Sequence, residues 1–102
     1  GILQPDATVC GGITEWLKIA HHAAAYDVPI APHYNWNLHT PLVAAIENGL
    51  WIEYFYRDQD VVVFDDLVAE PLVPDDEGYI SPADEPGHGV RLDEDAVEEY
   101  RR

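Results

Sequence analysis

The sequence predicts an α/β fold, namely part of a (β/α)8 barrel, and three observations lead to this prediction. Short apolar segments alternate with amphipathic segments in the order strand, helix, strand, helix, strand. The predicted strands are apolar on both faces, which is typical of a parallel sheet covered by helices. Each predicted strand ends at an ionisable residue, and the carboxyl ends of the strands form the catalytic face of a parallel barrel.

The first strand is predicted over residues 1–5, and it ends at Asp6. Two glycines then interrupt the chain before a helical pattern begins at Ile13. The apolar residues of this pattern recur at spacings of three and four, which places them on one face of a helix. These residues are Ile13, Trp16, Leu17, Ala20 and Ala24.

The second unit repeats this order. Residues 28–31 form the second predicted strand, which closes at His33. A helix is predicted from about Leu38 to Asn48, with Pro41 near its start, where a missing N–H does little harm. Gly49 directly after it is a typical helix stop.

The third predicted strand covers residues 50–52, with Glu53 at its end. Asp6, His33 and Glu53 would therefore meet at one edge of a parallel sheet. Three strands cannot close a barrel that needs eight, and they would leave both sheet edges open. We therefore expect the chain to be an incomplete part of a larger barrel.

The composition changes after residue 57, and we divide the chain there. Residues 1–57 hold the three strands and their helices, and residues 58–102 form a C-terminal segment. Within that segment, residues 61–68 predict a short helix or an extended packing stretch, and prolines with acidic residues then predict turns. Residues 93–102 predict a final helix with Asp93 as its N-cap.

The charge balance is strongly acidic, because 20 aspartates and glutamates face five basic residues, for a net charge of −15. Such a field repels nucleic acid and anionic lipid, so we expect neither as a partner. No apolar run approaches the length of a membrane span, and no signal peptide is recognisable, which favours a cytoplasmic protein. Acidic residues spread along the chain, together with a single lysine, predict a halophilic source. The alternative is an acidic surface that serves solubility. The single cysteine, Cys10, excludes an intrachain disulfide and a Cys-based zinc site.

Several motifs resemble the mandelate racemase/muconate lactonizing enzyme branch of the enolase superfamily. Residues 5–16, Pro-Asp-Ala-Thr-Val-Cys-Gly-Gly-Ile-Thr-Glu-Trp, resemble the segment after the sixth barrel strand. Residues 31–33, Ala-Pro-His, resemble the end of the seventh strand, and residues 49–54 resemble the eighth. Residues 76–80 and then 86–90 are similar to the stretch that returns to the capping domain of that family. The likeness covers nearly the whole chain in the correct order, and it implies that the chain is the C-terminal part of a (β/α)8 barrel, with the last three parallel strands and the return segment.

This resemblance implies a magnesium-dependent lyase of the acid-sugar dehydratase type, which removes a proton α to a carboxylate through an enediolate. Asp6 and His33 would form an acid–base dyad, Glu53 would hydrogen-bond the substrate carboxylate, and Tyr34 and Trp36 would line the substrate pocket. The resemblance places the magnesium ligands and a lysine base upstream, so it implies no metal ligand in this segment. We expect the segment alone to be inactive. The implied partner is a small carboxylate, and the full-length protein is expected to be a homo-oligomer.

Two alternatives remain open at this point. A racemase or epimerase of a hydroxy acid would use the same scaffold, with His33 facing a lysine base. A non-catalytic acidic barrel fragment or interaction module would need no pocket joining the three strand ends. A histidine metal site is not expected, because the adjacent His21 and His22 point about 100° apart on a helix.

Overall fold

The computed structural model describes residues 1–59 and 64–101, which contain three α-helices and two 3₁₀ turns. Helix α1 is Ile13–Ala24, α2 is Trp36–Ala44, α3 is Glu94–Tyr100, and the 3₁₀ turns are Arg57–Gln59 and Phe64–Leu67. Helix α1 begins at the predicted residue. Within these described ranges, no helix is long and apolar enough to cross a membrane.

The three predicted strands lie side by side and parallel, in chain order. Leu3 pairs with Ile30, and Ile30 pairs with Gly49, both in the parallel sense. The predicted parallel arrangement is therefore confirmed. The prediction of continuous strands is wrong, because each pairing is a single bridge.

A proline ends the first of these ladders. The Leu3 amide donates to the Pro29 carbonyl, and the Ala31 amide donates to the Leu3 carbonyl, both at 3.0 Å. In the parallel pattern, the next bond would run from the amide of residue 5 to the carbonyl of Ala31. Residue 5 is Pro5, which has no N–H to donate. Pairing therefore stops one residue before Asp6.

The second ladder ends in the same way. The Ile30 amide donates to the Asn48 carbonyl at 2.8 Å, and the Leu50 amide donates to the Ile30 carbonyl at 2.9 Å. The next donor in the pattern would be the amide of residue 32, facing the Leu50 carbonyl. Residue 32 is Pro32, so pairing stops one residue before His33.

Helix α2 differs from its prediction at both ends. It spans Trp36–Ala44 rather than residues 38–48, so Pro41 lies at its sixth position and not near its start. The predicted last turn is displaced because the Asn48 side chain binds elsewhere. Its amide nitrogen donates to the carbonyls of Ala20, at 3.0 Å, and Val28, at 2.9 Å. These bonds hold the residues that follow α2 against α1 and the start of the second strand.

The core lies between α1, α2 and the central strand. Trp16 and Ile30 are fully buried there. The buried apolar cluster comprises Ala7, Trp16, Ala20, Ala23, Ile30 and Leu42. Its members include Trp16 and Ala20 of the face predicted for α1, whereas Ile13 of that face is 37% exposed. Ala7 brings the loop after Asp6 onto this core.

The C-terminal segment packs against α2. The Trp36 indole N–H donates to the Leu72 carbonyl at 3.0 Å, and the Leu72 amide donates to the Asn37 side-chain oxygen at 2.7 Å. An antiparallel bridge between Val68 and Leu92 closes the segment on itself. The proposed division at residue 57 stays a prediction.

The final helix is shorter than predicted. Asp93 is its N-cap, as predicted, because its side chain accepts from the Ala96 amide at 3.0 Å. The helix ends at Tyr100 because Arg101 is extended, with φ −67° and ψ 125°. The packing predicted for residues 61–63 lies outside the described residues.

We expect this fold to depend on salt. Each basic residue that the structure describes already forms an ion pair with an acidic side chain, so most of the 20 acids repel one another. The Debye length is about 30 Å at 0.01 M salt and about 3 Å at 1 M. The first value is comparable to the molecular dimensions, 45 × 32 × 27 Å, so most charges then act on one another.

Helicity measured by circular dichroism should therefore fall when salt is withdrawn and recover when it is restored. A variant with the exposed Asp76, Glu77 and Glu85 changed to amides should hold its helicity at lower salt. Helicity that is unchanged from molar to millimolar salt would show that the acidity serves solubility alone.

Candidate active site

Asp6 is a buried carboxylate at the end of the first strand. Its side chain is 7% exposed. Its Oδ1 accepts the Thr8 amide at 2.8 Å and the Thr8 hydroxyl at 2.7 Å. Burial alone would raise the pKa of Asp6, but the bonds from Thr8 and His33 outweigh it and lower the pKa from its ordinary value. Asp6 is therefore an ionised acceptor at neutral pH.

His33 lies beside this carboxylate. Its Nδ1 is 3.2 Å from Asp6 Oδ2, and its side chain is 59% exposed. An ionised carboxylate can only accept, so Nδ1 carries the proton of a neutral ring. The Nε2 atom is then the basic nitrogen available to a substrate. This is the arrangement of a general base held by an orienting acid.

Glu53 joins the site through the backbone. Its Oε2 accepts the Tyr34 amide at 2.7 Å, so it is attached to the residue that follows His33. The structure thus brings Asp6 and His33 into direct contact and ties Glu53 to the same loop. The catalytic roles of the three residues stay predictions.

The loop after His33 holds an unusual backbone. Tyr34 and Asn35 have φ values of 54° and 42°, in the left-handed region that side chains disfavour. Such residues persist only where surrounding contacts hold them. Here the Glu53 carboxylate binds the Tyr34 amide, and the Asn35 side chain donates to the Thr8 hydroxyl at 3.2 Å.

His39 is a residue of this site that the sequence analysis missed. Its side chain is fully buried, Nε2 accepts the Ala7 amide at 3.0 Å, and Nδ1 lies 2.7 Å from the Tyr34 carbonyl. Burial lowers the pKa of His39, although the Tyr34 carbonyl and the Asp6 charge act in the opposite direction. The signal was its spacing of three residues from both Trp36 and Leu42, which places it on the buried face of α2.

The two predicted substrate contacts lie in different surroundings. Tyr34 is partly buried, with its ring 6.2 Å from that of Phe55, and burial raises the pKa of its phenol. Trp36 is 2% exposed, its N–H is bound to Leu72, and its ring lies 4.8 Å from that of Tyr54. Part of Tyr34 is therefore accessible to solvent, whereas Trp36 serves the packing of the C-terminal segment. A direct substrate contact by either stays a prediction.

The described residues do not form a magnesium site by themselves. In residues 1–59 and 64–101, no group of three or more His, Cys, Asp or Glu side chains is arranged to hold a metal ion. Magnesium prefers an octahedral set of oxygens that includes carboxylates. Both oxygens of Asp6, the buried carboxylate of the site, are engaged by Thr8 and His33.

Comparisons with known proteins give a consistent family. The family model described as "Enolase C-terminal domain-like" matches residues 1–96. The chain is 34% identical over 107 residues to an arabinonate dehydratase of Saccharolobus solfataricus. It is 38% identical over 112 residues to a D-galactonate dehydratase of Ralstonia nicotianae. These alignments cover 98% and 99% of the chain.

A solved structure supports the same fold. The crystal structure of L-talarate dehydratase from Polaromonas sp. JS666, complexed with Mg and L-glucarate, matches with a TM-score of 0.81 and 32% identity. The match covers 99% of this chain and 26% of that one. The chain likewise spans 27% and 28% of the two relatives named above, about a quarter of their length.

Proposed function

The chain belongs to the enolase C-terminal domain-like family, and on that premise we propose that it forms the C-terminal part of a magnesium-dependent acid-sugar dehydratase. The observation that carries the proposal is the 3.2 Å contact between His33 Nδ1 and Asp6 Oδ2, with Glu53 tied to the same loop. The sugar-acid dehydratases among its relatives support the choice of reaction.

In this proposal, His33 moves the proton. Its Nε2 takes the proton α to the substrate carboxylate, and the C–H electron pair is delocalised into that carboxylate as an enediolate. The electron pair then forms a carbon–carbon double bond as the β-hydroxyl leaves. The imidazolium returns its proton to the hydroxyl, so water departs and His33 is again neutral.

Asp6 and Glu53 support the two charged stages. The Asp6 carboxylate keeps Nδ1 protonated and stabilises the imidazolium that forms. Glu53, in its protonated form, would donate a hydrogen bond to the substrate carboxylate as negative charge develops there. Magnesium would supply further stabilisation of that charge, from ligands in parts of the complete protein outside this chain.

Racemisation or epimerisation is the rival reaction. It needs a second base on the opposite face of the substrate. Lys18, the lysine of this chain, is bound to Glu15 at 2.6 Å on the outer part of α1 and is not such a base. A second base would come from a part of the complete protein outside this chain, and it is the sugar-acid dehydratases among the relatives that favour dehydration.

Product analysis tests the proposal. The full-length protein, loaded with magnesium, should convert at least one acid sugar to a dehydrated keto acid, and a chelator should abolish the reaction. The 102-residue chain alone should show no turnover. Inversion of the α-carbon without loss of water would favour the rival, and no reaction with a broad set of hydroxy acids would contradict both.

A further inference from the structure

We infer that His39 is a positioning residue, which in its neutral form fastens the loop after Asp6 to the loop after His33. We call the pair of hydrogen bonds from Ala7 to His39 and from His39 to Tyr34 the His39 bridge. The part of the inference that concerns activity rests on the proposed function. The part that concerns the two loops stands on the structure alone.

The partners of His39 fix its tautomer. The Ala7 amide can only donate, so Nε2 must present a lone pair to it at 3.0 Å. The Tyr34 carbonyl can only accept, so Nδ1 must carry the proton at 2.7 Å. Both ring nitrogens are thus used in one neutral tautomer. A second proton on Nε2 would set two donors against each other and break the bond to Ala7.

The His39 bridge acts on the residues next to the acid–base pair. Ala7 follows Asp6, and Tyr34 follows His33. Each lies just beyond the point at which sheet pairing stops, so the sheet does not set its position. The strained Tyr34 backbone, with φ 54°, needs a contact that holds its carbonyl in place. His39 supplies that contact from a fully buried position on α2.

The end of the first strand is also held by a second contact, from Trp16. The Trp16 indole N–H donates to the Pro5 carbonyl at 3.0 Å, and its ring stacks on that of His39 at 6.2 Å and 25°. Asp6 therefore lies between two backbone groups that are both held by buried aromatic rings. These contacts hold the backbone on both sides of Asp6, whose carboxylate lies 3.2 Å from His33 Nδ1.

The groups around His39 have opposite effects on the charge of its ring. The Asp6 carboxylate lies 3.7 Å from Nε2 and favours a charged ring, whereas the burial of the ring and His33 disfavour it. The ring of Trp16, which packs against it from α1, carries no charge. The pKa of His39 is lowered, so the unfolded chain takes up its proton first. The stability that the neutral ring contributes is present above the unfolded pKa of about 6.5 and is lost as the pH falls through the folded pKa.

Three variants of the full-length protein separate the two bonds. His39→Gln can place an amide oxygen near the position of Nε2 and keep the bond to Ala7, while it loses the donor to Tyr34. His39→Asn can keep that donor but does not reach Ala7. His39→Leu loses both. His22→Asn, at an exposed histidine of α1, is the matched control.

We expect kcat to fall by about 10²-fold in His39→Leu and by less in the Gln and Asn variants, with KM nearly unchanged, because only the alignment of the dyad is lost. The loss of stability that begins below about pH 6.5 through His39 should disappear in His39→Gln, which has no ring to titrate, while the loss due to Asp6 at lower pH remains. Wild-type kcat in folded His39→Leu and His39→Gln would overturn the positioning role. If the leucine variant does not fold, the glutamine variant alone decides.

Histidine ¹⁵N spectra test the His39 bridge without any turnover. With ring-labelled histidine, the signal absent from His39→Gln should show the Nδ1–H tautomer at neutral pH, and the Ala7 amide should exchange faster in His39→Leu. The Nε2–H tautomer or an imidazolium at that pH would overturn the inference. If the tautomer is found but no acid sugar is dehydrated, the proposed function fails and the attachment of the two loops stands.

Discussion

Replacing His33 with asparagine in the full-length protein should lower kcat/KM by about 10² to 10⁴, the usual share of general acid–base catalysis. Asparagine preserves approximate size and some hydrogen bonding, but it has no group that titrates near neutrality. Substrate affinity should change little, since Glu53 remains. Steady-state kinetics on the best acid sugar, with metal content and folding checked, measure the effect.

Replacing Asp6 with asparagine should also be costly, for a different reason. The amide oxygen introduced by Asp6→Asn would still accept from Thr8, which turns the new N–H₂ group towards His33 Nδ1. A donor in that place would favour the tautomer protonated at Nε2, which cannot accept a substrate proton. The double variant should then cost little more than the worse single one, because the pair acts as a unit. Full activity in folded His33→Asn, or additive losses in the double variant, would contradict the dyad.

Replacing Trp16 with alanine should lower the free energy of unfolding by about 3 to 5 kcal/mol, as is usual when a buried tryptophan is truncated. Trp16 is 0% exposed, lies in the central apolar cluster and also holds the Pro5 carbonyl. Urea denaturation followed by circular dichroism measures the change.

Two further variants identify the source of that loss. Trp16→Phe keeps part of the packing and removes the indole donor, so the unpaired Pro5 carbonyl should cost about 1 to 3 kcal/mol. Tyr26→Ala, at a ring that is 70% exposed, is the control and should change stability little. A Trp16→Ala midpoint equal to that of Tyr26→Ala would contradict the packing described for α1.

The strand ends were the most predictable part of the site. Apolar runs that end in Asp6, His33 and Glu53 predict one shared edge, because parallel strands have their carboxyl ends together. That prediction needs only local patterns and one rule of topology. The parallel bridges and the Asp6–His33 contact agree with it.

The contacts between loops were not predictable in the same way. His39 reaches Ala7 across 32 residues of sequence, and Asn48 reaches Ala20 across 28. Such pairs depend on how the units dock, and no local period encodes them. The end of α2 was misplaced for this reason, since the contacts of Asn48 override a sequence that favours a longer helix.

The prolines that end the two ladders have an evolutionary consequence. Strand register is fixed before Pro5 and Pro32, and Asp6 and His33 each follow immediately after. Substitutions or insertions after either proline can therefore change the orientation of Asp6 and His33 without breaking the sheet pairing. A protein built in this way can drift from one substrate to another through its loops, while the register that its descendants inherit stays the same.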